Sequence, residues 1–294
     1  MQSVIQILLN NLYLIGVLAL TTMGIALTFK TANTANFAQS ITSTAGAFVA
    51  AWLFMKTGFG PWWSIIGGVA VCFLLGWIID ALIVRPATKT NESGRVMITL
   101  GLIIIISAFL PLIFGMIPYE YTRLFPGNLD FEMFGAQYTI TKNGLFTFCL
   151  SVVVIGALFA ALNLTKWGLG VRATASNKTV ASMMGVNTNS MTAISWAVSS
   201  ACGALGAVLY ASQTTNVIID MLATIQTSSL LAFVLGGFTS FYGPVIGAIL
   251  IPIVTSLLAL ISGLWANVFL YAFVLLVILW RPAGLFGKDA IKKV

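Results

Sequence analysis

The stretch Val96–Ile117, VMITLGLIIIISAFLPLIFGMI, carries no charged residue over its whole length. As a helix rising about 1.5 Å per residue it is just long enough to cross the roughly 30 Å hydrocarbon core of a bilayer. Similar apolar runs lie on both sides of it: Ile5–Phe29, Phe37–Met55, Trp62–Val84, Gly144–Leu164, Thr192–Ser212, a shorter one near Ser228–Thr239, Pro244–Ile261 and Leu264–Trp280. The short alternating segments of a transmembrane barrel are absent from this pattern. The predicted fold is therefore all-α, a polytopic transmembrane helical bundle of about eight or nine spans, some of them interrupted, with residues 1–294 forming a single transmembrane domain.

Composition agrees, because 59% hydrophobic residues, 7% charged residues and a mean hydropathy of +1.03 leave too little polar surface to cover a water-soluble globule. The first run has no Lys or Arg ahead of it and contains Asn10 and Asn11, so it reads as a retained helix and not a signal peptide. Cations cluster in three places: Arg85, Lys89 and Arg95; Lys166, Arg172 and Lys178; and Arg281, Lys288, Lys292 and Lys293. By the positive-inside rule all three are expected to be cytoplasmic, while the acidic Tyr119–Lys142 segment and the surroundings of Asp220 face outward. The net charge of +7 is spread over these loops, which suits lipid headgroups and gives no nucleic-acid stripe.

The absences narrow the chemistry. With no His in the chain, and Asp80 at the inner end of its run the nearest acid to hydrocarbon, no residue at membrane depth is suited to proton coupling. No phosphate-binding GxxxxGK[ST] loop is present, since GLFGKDA in the tail has the wrong spacing. Cys72, Cys149 and Cys202 stand alone, one per run, so neither a metal site nor a thiol centre is expected, and the abundant Ser and Thr lack a base to activate them. Neither catalysis nor a bound cofactor is expected, and ATP-driven work has to come from another chain.

Between two runs lies Trp167–Val186, WGLGVRATASNKTVASMMGV, a charged but helix-capable stretch inside the loop 165–190. Ser176 or Asn177 can cap a short helix that places Val180, Met183 and Met184 on one face, and Gly185 can take the left-handed conformation that ends it. A Met-rich tip of that kind suits a groove on a soluble motor whose shape changes. An interfacial helix resting in the headgroups fits the same periodicity.

Two polar interruptions break the apolar pattern. Thr31–Gly46, TANTANFAQSITSTAG, is too polar to face lipid, so Asn36, Gln39, Ser43 and Thr44 are expected either to line a solute path or to hydrogen-bond between helices. The second, around Gly236, Gly237, Thr239 and Ser240, precedes Pro244, a residue suited to start a new helix; Gly243 and Gly247 add a GxxxG spacing. Either solute contact or a helix-packing seam would use it.

The run GLGVRATASNKTVASMMGVNT, Gly168–Thr188, resembles the cytoplasmic coupling loop of ABC importer permeases of the branched-chain amino acid family. NFAQ at Asn36–Gln39, LGGFTSFYGPVIGA at Leu235–Ala248 and RPAGLFG at Arg281–Gly287 resemble three further signatures of that family, in the same order along the chain. The resemblance implies a multi-pass permease of a bacterial or archaeal cytoplasmic membrane. Its partners would be two cytoplasmic ABC ATPase subunits, a second related permease chain and an extracytoplasmic solute-binding protein. It further implies that Arg172, Ala173, Asn177, Val180, Met183, Met184 and Gly185 meet the ATPase. Gln39, Ser40 and Ile41 depart from the His, Gly and Glu that many members carry there, so substrate preference does not transfer directly. A permease for urea or short amides, and a self-contained channel or facilitator, remain alternatives.

Overall fold

A computed structural model describes residues 2–89, 91–133 and 135–287 of the chain, so Lys288, Lys292 and Lys293 of the tail lie outside it. The described residues form α1 (Gln2–Asn10), α2 (Leu12–Ala32), α3 (Gln39–Thr57), α4 (Pro61–Ile79), α5 (Glu92–Phe114), α6 (Lys142–Leu164), α7 (Lys166–Ser176), α8 (Lys178–Met183), α9 (Thr188–Thr214), α10 (Ala223–Gly236), α11 (Gly243–Ile261) and α12 (Ala266–Trp280). Six helical segments among them are long and apolar enough to span a membrane: Leu12–Ala32, Pro61–Val84, Ser93–Phe114, Lys142–Leu164, Thr188–Thr214 and Gly243–Ile261. Helices α10 and α12 are apolar but shorter. The chain is an all-α, polytopic membrane bundle.

Local chemistry sets the helix ends. Pro61 and Pro244 sit in the first turns of α4 and α11, where a missing N–H costs nothing. The side chains of Asn91, Thr141, Thr165 and Asn187 cap α5, α6, α7 and α9 by accepting from backbone N–H groups three residues on. The run expected to form one helix from Ile5 to Phe29 is instead two. Asn11 separates them, its Nδ2 donating to Ile7 O at 2.7 Å and to Ser256 Oγ of α11 at 2.8 Å, so the side chain pins the junction.

No strands were expected, yet the segment between α5 and α6 contains an antiparallel hairpin of β2 (Asn128–Met133) and β3 (Ala136–Thr141), turned at Gly135 with φ +72°. A second small pairing joins β1 (Tyr119–Glu120) to β4 (Asn216–Val217). Gln6 of α1 docks on the hairpin, donating to Thr139 O at 2.6 Å and accepting from Thr139 N at 3.1 Å. These contacts close one end of the bundle; the cation-rich loops occupy the other.

Helices α2 and α9 form the centre, 78% buried over their apolar windows, against 17% for α5 and 28% for α6 and α11. Exposed Ile104, Ile105, Phe109 and Leu112 on α5 suit contact with lipid tails. Lipid is as apolar as Leu, so the centre is held by close approach and hydrogen bonds. A Cβ added to Gly76 of α4 would meet Trp196 O of α9 at 2.5 Å, and one added to Gly46 of α3 would meet Cys72 Sγ at 2.6 Å and Ala204 at 2.7 Å. Thr21 of α2 and Ser229 of α10 pair hydroxyl to hydroxyl at 2.6 Å inside this core.

Candidate functional site: a capped loop helix and a buried polar break

Helix α8 is built as a rigid projection. The chain turns sharply at Asn177 (φ −159°, ψ 107°), whose N–H finishes α7 on Ala173 O and whose Oδ1 accepts from Val180 N at 3.0 Å. Of the two predicted caps, Ser176 and Asn177, it is Asn177 that acts. At the other end Val186 N donates to Ala181 O at 3.0 Å and Gly185 N to Ser182 O at 3.1 Å, with Gly185 at φ +83°. That pair of bonds is a Schellman stop. Ala181 is buried against the bundle, while Val180, Met183 and Met184 are 52%, 80% and 79% exposed. Arg172 is exposed on α7 and Ala173 half-buried.

Beside α7 and α8 lie two cavities of about 660 and 470 Å³ that share Lys30, Asn33, Ala175 and Ser176. Arg172 lines the first, Arg95 and Lys178 the second. Lys30 Nζ donates to Phe238 O at 3.1 Å and Thr239 O at 2.7 Å, and stands 4.3 Å from the centre of the Phe241 ring. The end of α2 is thus fastened to the loop between α10 and α11. Burial lowers the Lys178 ammonium below its usual range, and the Asp80 carboxylate opposes that shift.

The break between α2 and α3 returns into the bundle. A Cβ at Gly24 of α2 would lie 2.9 Å from Ser199 Oγ and 3.0 Å from Gln39 Nε2, although Gly24 stands eight residues, or about 12 Å, before the end of α2. Residues 33–38 therefore climb back from the cation-rich end to the level of Gln39. Gln39 is fully buried: its Nε2 donates to Ser199 O at 2.8 Å, and its Oε1 accepts from Ser199 Oγ and Asn36 Nδ2, both at 3.0 Å. Gln226 of α10 donates to Asn36 O at 3.1 Å. Ser43 and Thr44 are also fully buried, Ser43 donating to Gln39 O at 2.6 Å.

The glycine-rich segment occupies another place. Helix α10 touches the break at Gln226, ten residues or about 15 Å before Gly236. Gly236 lies directly against Gly243, and Gly247 against Ala232, which makes this a seam between α10 and α11. Gly237, at φ +102°, packs on the RPAGLFG loop, where Leu285 N and Phe286 N donate to Leu235 O and Gly236 O at 2.8 and 3.2 Å. Ser240 Oγ accepts from Gly243 N at 3.0 Å and steadies the start of α11; Thr239 is exposed. The two polar interruptions do not come together as one lining.

Two residues of this network are not singled out by the sequence: Ser199, a polar side chain inside the apolar run Thr192–Ser212, and Gln226, which stands just ahead of the short run near Ser228–Thr239. Asp80, expected only as the acid nearest hydrocarbon at the inner end of its run, has a carboxylate that is 1% exposed and paired with Arg85 at 3.3 Å.

A family model described as "branched-chain amino acid transport system / permease component" matches residues 7–279. The chain is 28% identical to a probable branched-chain amino acid transport permease protein, LivH, of Methanocaldococcus jannaschii, covering 93% of this chain and 90% of that one. It is 24% identical to the high-affinity permease protein LivH of Escherichia coli K12 (99% and 97% covered), and 25% identical to the permease protein BraD of Pseudomonas aeruginosa (99% and 98% covered). No solved structure matches it. With nearly its whole length matched, and with a capped loop helix and a buried break where the signatures fall, the chain belongs to the family of branched-chain amino acid transport system permease components.

Proposed function

We propose that this chain is the membrane permease subunit of an ABC importer that moves branched-chain or related small amino acids across a bacterial or archaeal cytoplasmic membrane. It performs no covalent chemistry. Two cytoplasmic ABC ATPases supply the work, a solute-binding protein delivers cargo from outside, and a second related permease completes the path. Residues 1–294 act as one transmembrane domain containing a coupling segment at 165–190. The positive-inside rule puts the cation-rich end in the cytoplasm, and nine crossings, by α2–α6 and α9–α12 with α3 and α10 the partial ones, then put the N-terminus outside.

The observation that carries this reading is the tip of α8. An apolar Val180–Met183–Met184 surface, held outside the bundle by an Asn177 cap and a Gly185 stop, is costly in water and suits an apolar cleft on a motor subunit. Arg172 and Ala173 on the adjoining α7 turn complete that surface. The buried amides and hydroxyls of Asn36, Gln39, Ser43 and Thr44 are proposed as the gate of the solute path, closed in this conformation by their mutual hydrogen bonds. Gly236, Gly237, Thr239 and Ser240 set the seam that moves with it. The break carries no charge, so urea or a short amide also fits, and a panel of solutes presented on the binding protein separates these.

Met184→Asp tests the coupling role. A carboxylate pushed into an apolar cleft costs on the order of a few kcal/mol, about a hundredfold in docking. The expected result is normal membrane insertion with loss of co-purifying ATPase and of uptake. Full association and full uptake would reduce α8 to an interfacial helix, and unassisted solute flux by the chain alone in liposomes would favour a facilitator.

A further inference from the structure

Where α4 approaches the cation-rich end, its hydrogen bonding widens into a π-helical turn, Asp80–Val84, with Arg85 N donating to Asp80 O at 2.8 Å. π-turns persist where the residue they redirect has a use. Here Asp80 points into a cleft of about 10 Å³ lined by Ala32, Arg85, Arg95 and Lys178 among others, room for hardly more than one water. One carboxylate oxygen meets Arg85 at 3.3 Å; the other is buried with no hydrogen-bond partner. An acid so deeply buried, with one oxygen unpaired, is costly unless surrounding cations hold it.

Those cations come from parts of the chain expected to move relative to one another. Lys178 is the first residue of α8, half-buried at its base while the apolar tip points away. Arg95 belongs to the first turns of α5, and its Nη1 donates to Ala32 O, at the end of α2, at 2.9 Å. Ala32 leads directly into the polar break that ends at Gln39. The cleft is thus the one place among the described residues where the loop helix, the end of α4, the start of α5 and the entrance to the break share a charge cluster.

We infer that Asp80 is a positioning residue that transmits motion of α8 to the polar break: its carboxylate, paired with Arg85, offsets the charges of Lys178 and Arg95 in the cleft they share, so that displacement of α8 shifts the α2 terminus. This rests on the docking role of α8 and adds the link between docking and gating. The balance of charge matters more than any single ion pair, because removing the acid leaves three cations facing one cleft. The partial desolvation of Lys178, opposed by Asp80, fits that picture.

The test uses the importer assembled with its ATPase, permease and binding-protein partners in liposomes. Asp80→Asn should insert and retain ATPase at the wild-type level, with unchanged basal hydrolysis, while the ratio of solute-stimulated to basal hydrolysis and the uptake rate fall by about 2- to 30-fold, the usual span of coupling mutations. Adding Lys178→Met to Asp80→Asn removes one of the unbalanced cations and should restore part of the ratio, an outcome a mere packing defect would not produce. Should Asp80→Asn fail to insert, Lys178→Met alone decides, since it must also lower the ratio. A wild-type ratio in Asp80→Asn, or losses that simply add in the double variant, overturns the inference. Met184→Asp, run in parallel, keeps the two ideas apart: if it leaves ATPase association intact the docking role itself fails, and if it abolishes association while Asp80→Asn is neutral only the link through Asp80 fails.

Discussion

Replacing Gly185 isolates the stop of α8 from everything it touches. Gly185 sits at φ +83°, and a Cβ placed there has no neighbour within 4 Å, so Gly185→Ala adds no clash and changes only the backbone preference. Holding an L-residue in the left-handed region costs roughly 1–2 kcal/mol, and a β-branched residue more. If the ATPase binds only the stopped helix, its apparent affinity falls with the population of that state, by about 5- to 30-fold for Ala and further for Val. Titrating the ATPase against reconstituted permease measures this directly. Gly58 supplies the control, for it ends α3 at φ +70°, also with open space around its Cβ, at the hairpin end of the bundle. Gly58→Ala therefore carries a similar strain but should leave ATPase affinity unchanged. Equal losses at both positions would assign the effect to global destabilisation, and wild-type affinity in Gly185→Val would refute the docking geometry.

Helix placement was legible because hydrocarbon imposes one rule, that every backbone polar group be satisfied within the chain, and apolar length reports it well. The α8 cap and stop were legible for a similar reason: Asn177 and Gly185 act on their own neighbours, so sequence spacing equals spatial spacing. What stayed hidden depends on partners remote in sequence. Asn11 breaks the first run by reaching Ser256, 245 positions away, and Gln39 finds Ser199 after 160. The charges of the segment at residues 128–141 point to its side of the membrane and say nothing of the hairpin, whose signal is the alternation of Phe131, Met133, Tyr138 and Ile140 with polar residues. Thr239 and Ser240 share with Asn36 and Gln39 only the property of interrupting an apolar pattern. Composition cannot reveal that one set lies at membrane depth and the other at the end of α2, fastened by Lys30.

The orientation can be checked by labelling in a background without native cysteines: Asn177→Cys should react with an impermeant thiol reagent only after the membrane is opened, and Glu132→Cys on the hairpin in intact cells. Labelling of Asn177→Cys from outside would invert the topology. Gln39→Leu tests whether the break is a gate or only a seam. The substitution keeps approximate volume but removes the amide that Ser199 and Asn36 both bond to, leaving a buried hydroxyl and a buried amide to find others. Hydrogen bonds between membrane helices are worth about 0.6 kcal/mol on average and up to about 1.7, so the three lost bonds together cost about 2 kcal/mol and the bundle should still assemble. Ser43 is unsuited to the same test, since it lies fully buried against Gly203 and a bulky residue there would block packing before it blocked solute. If the hydrogen-bonded break is the closed gate, weakening it should raise basal ATP hydrolysis or solute leak in liposomes while thermal stability falls only slightly. If stability falls and neither leak nor basal hydrolysis changes, Gln39 holds α3 to α9 as a packing contact, and the solute path must run elsewhere than through this break.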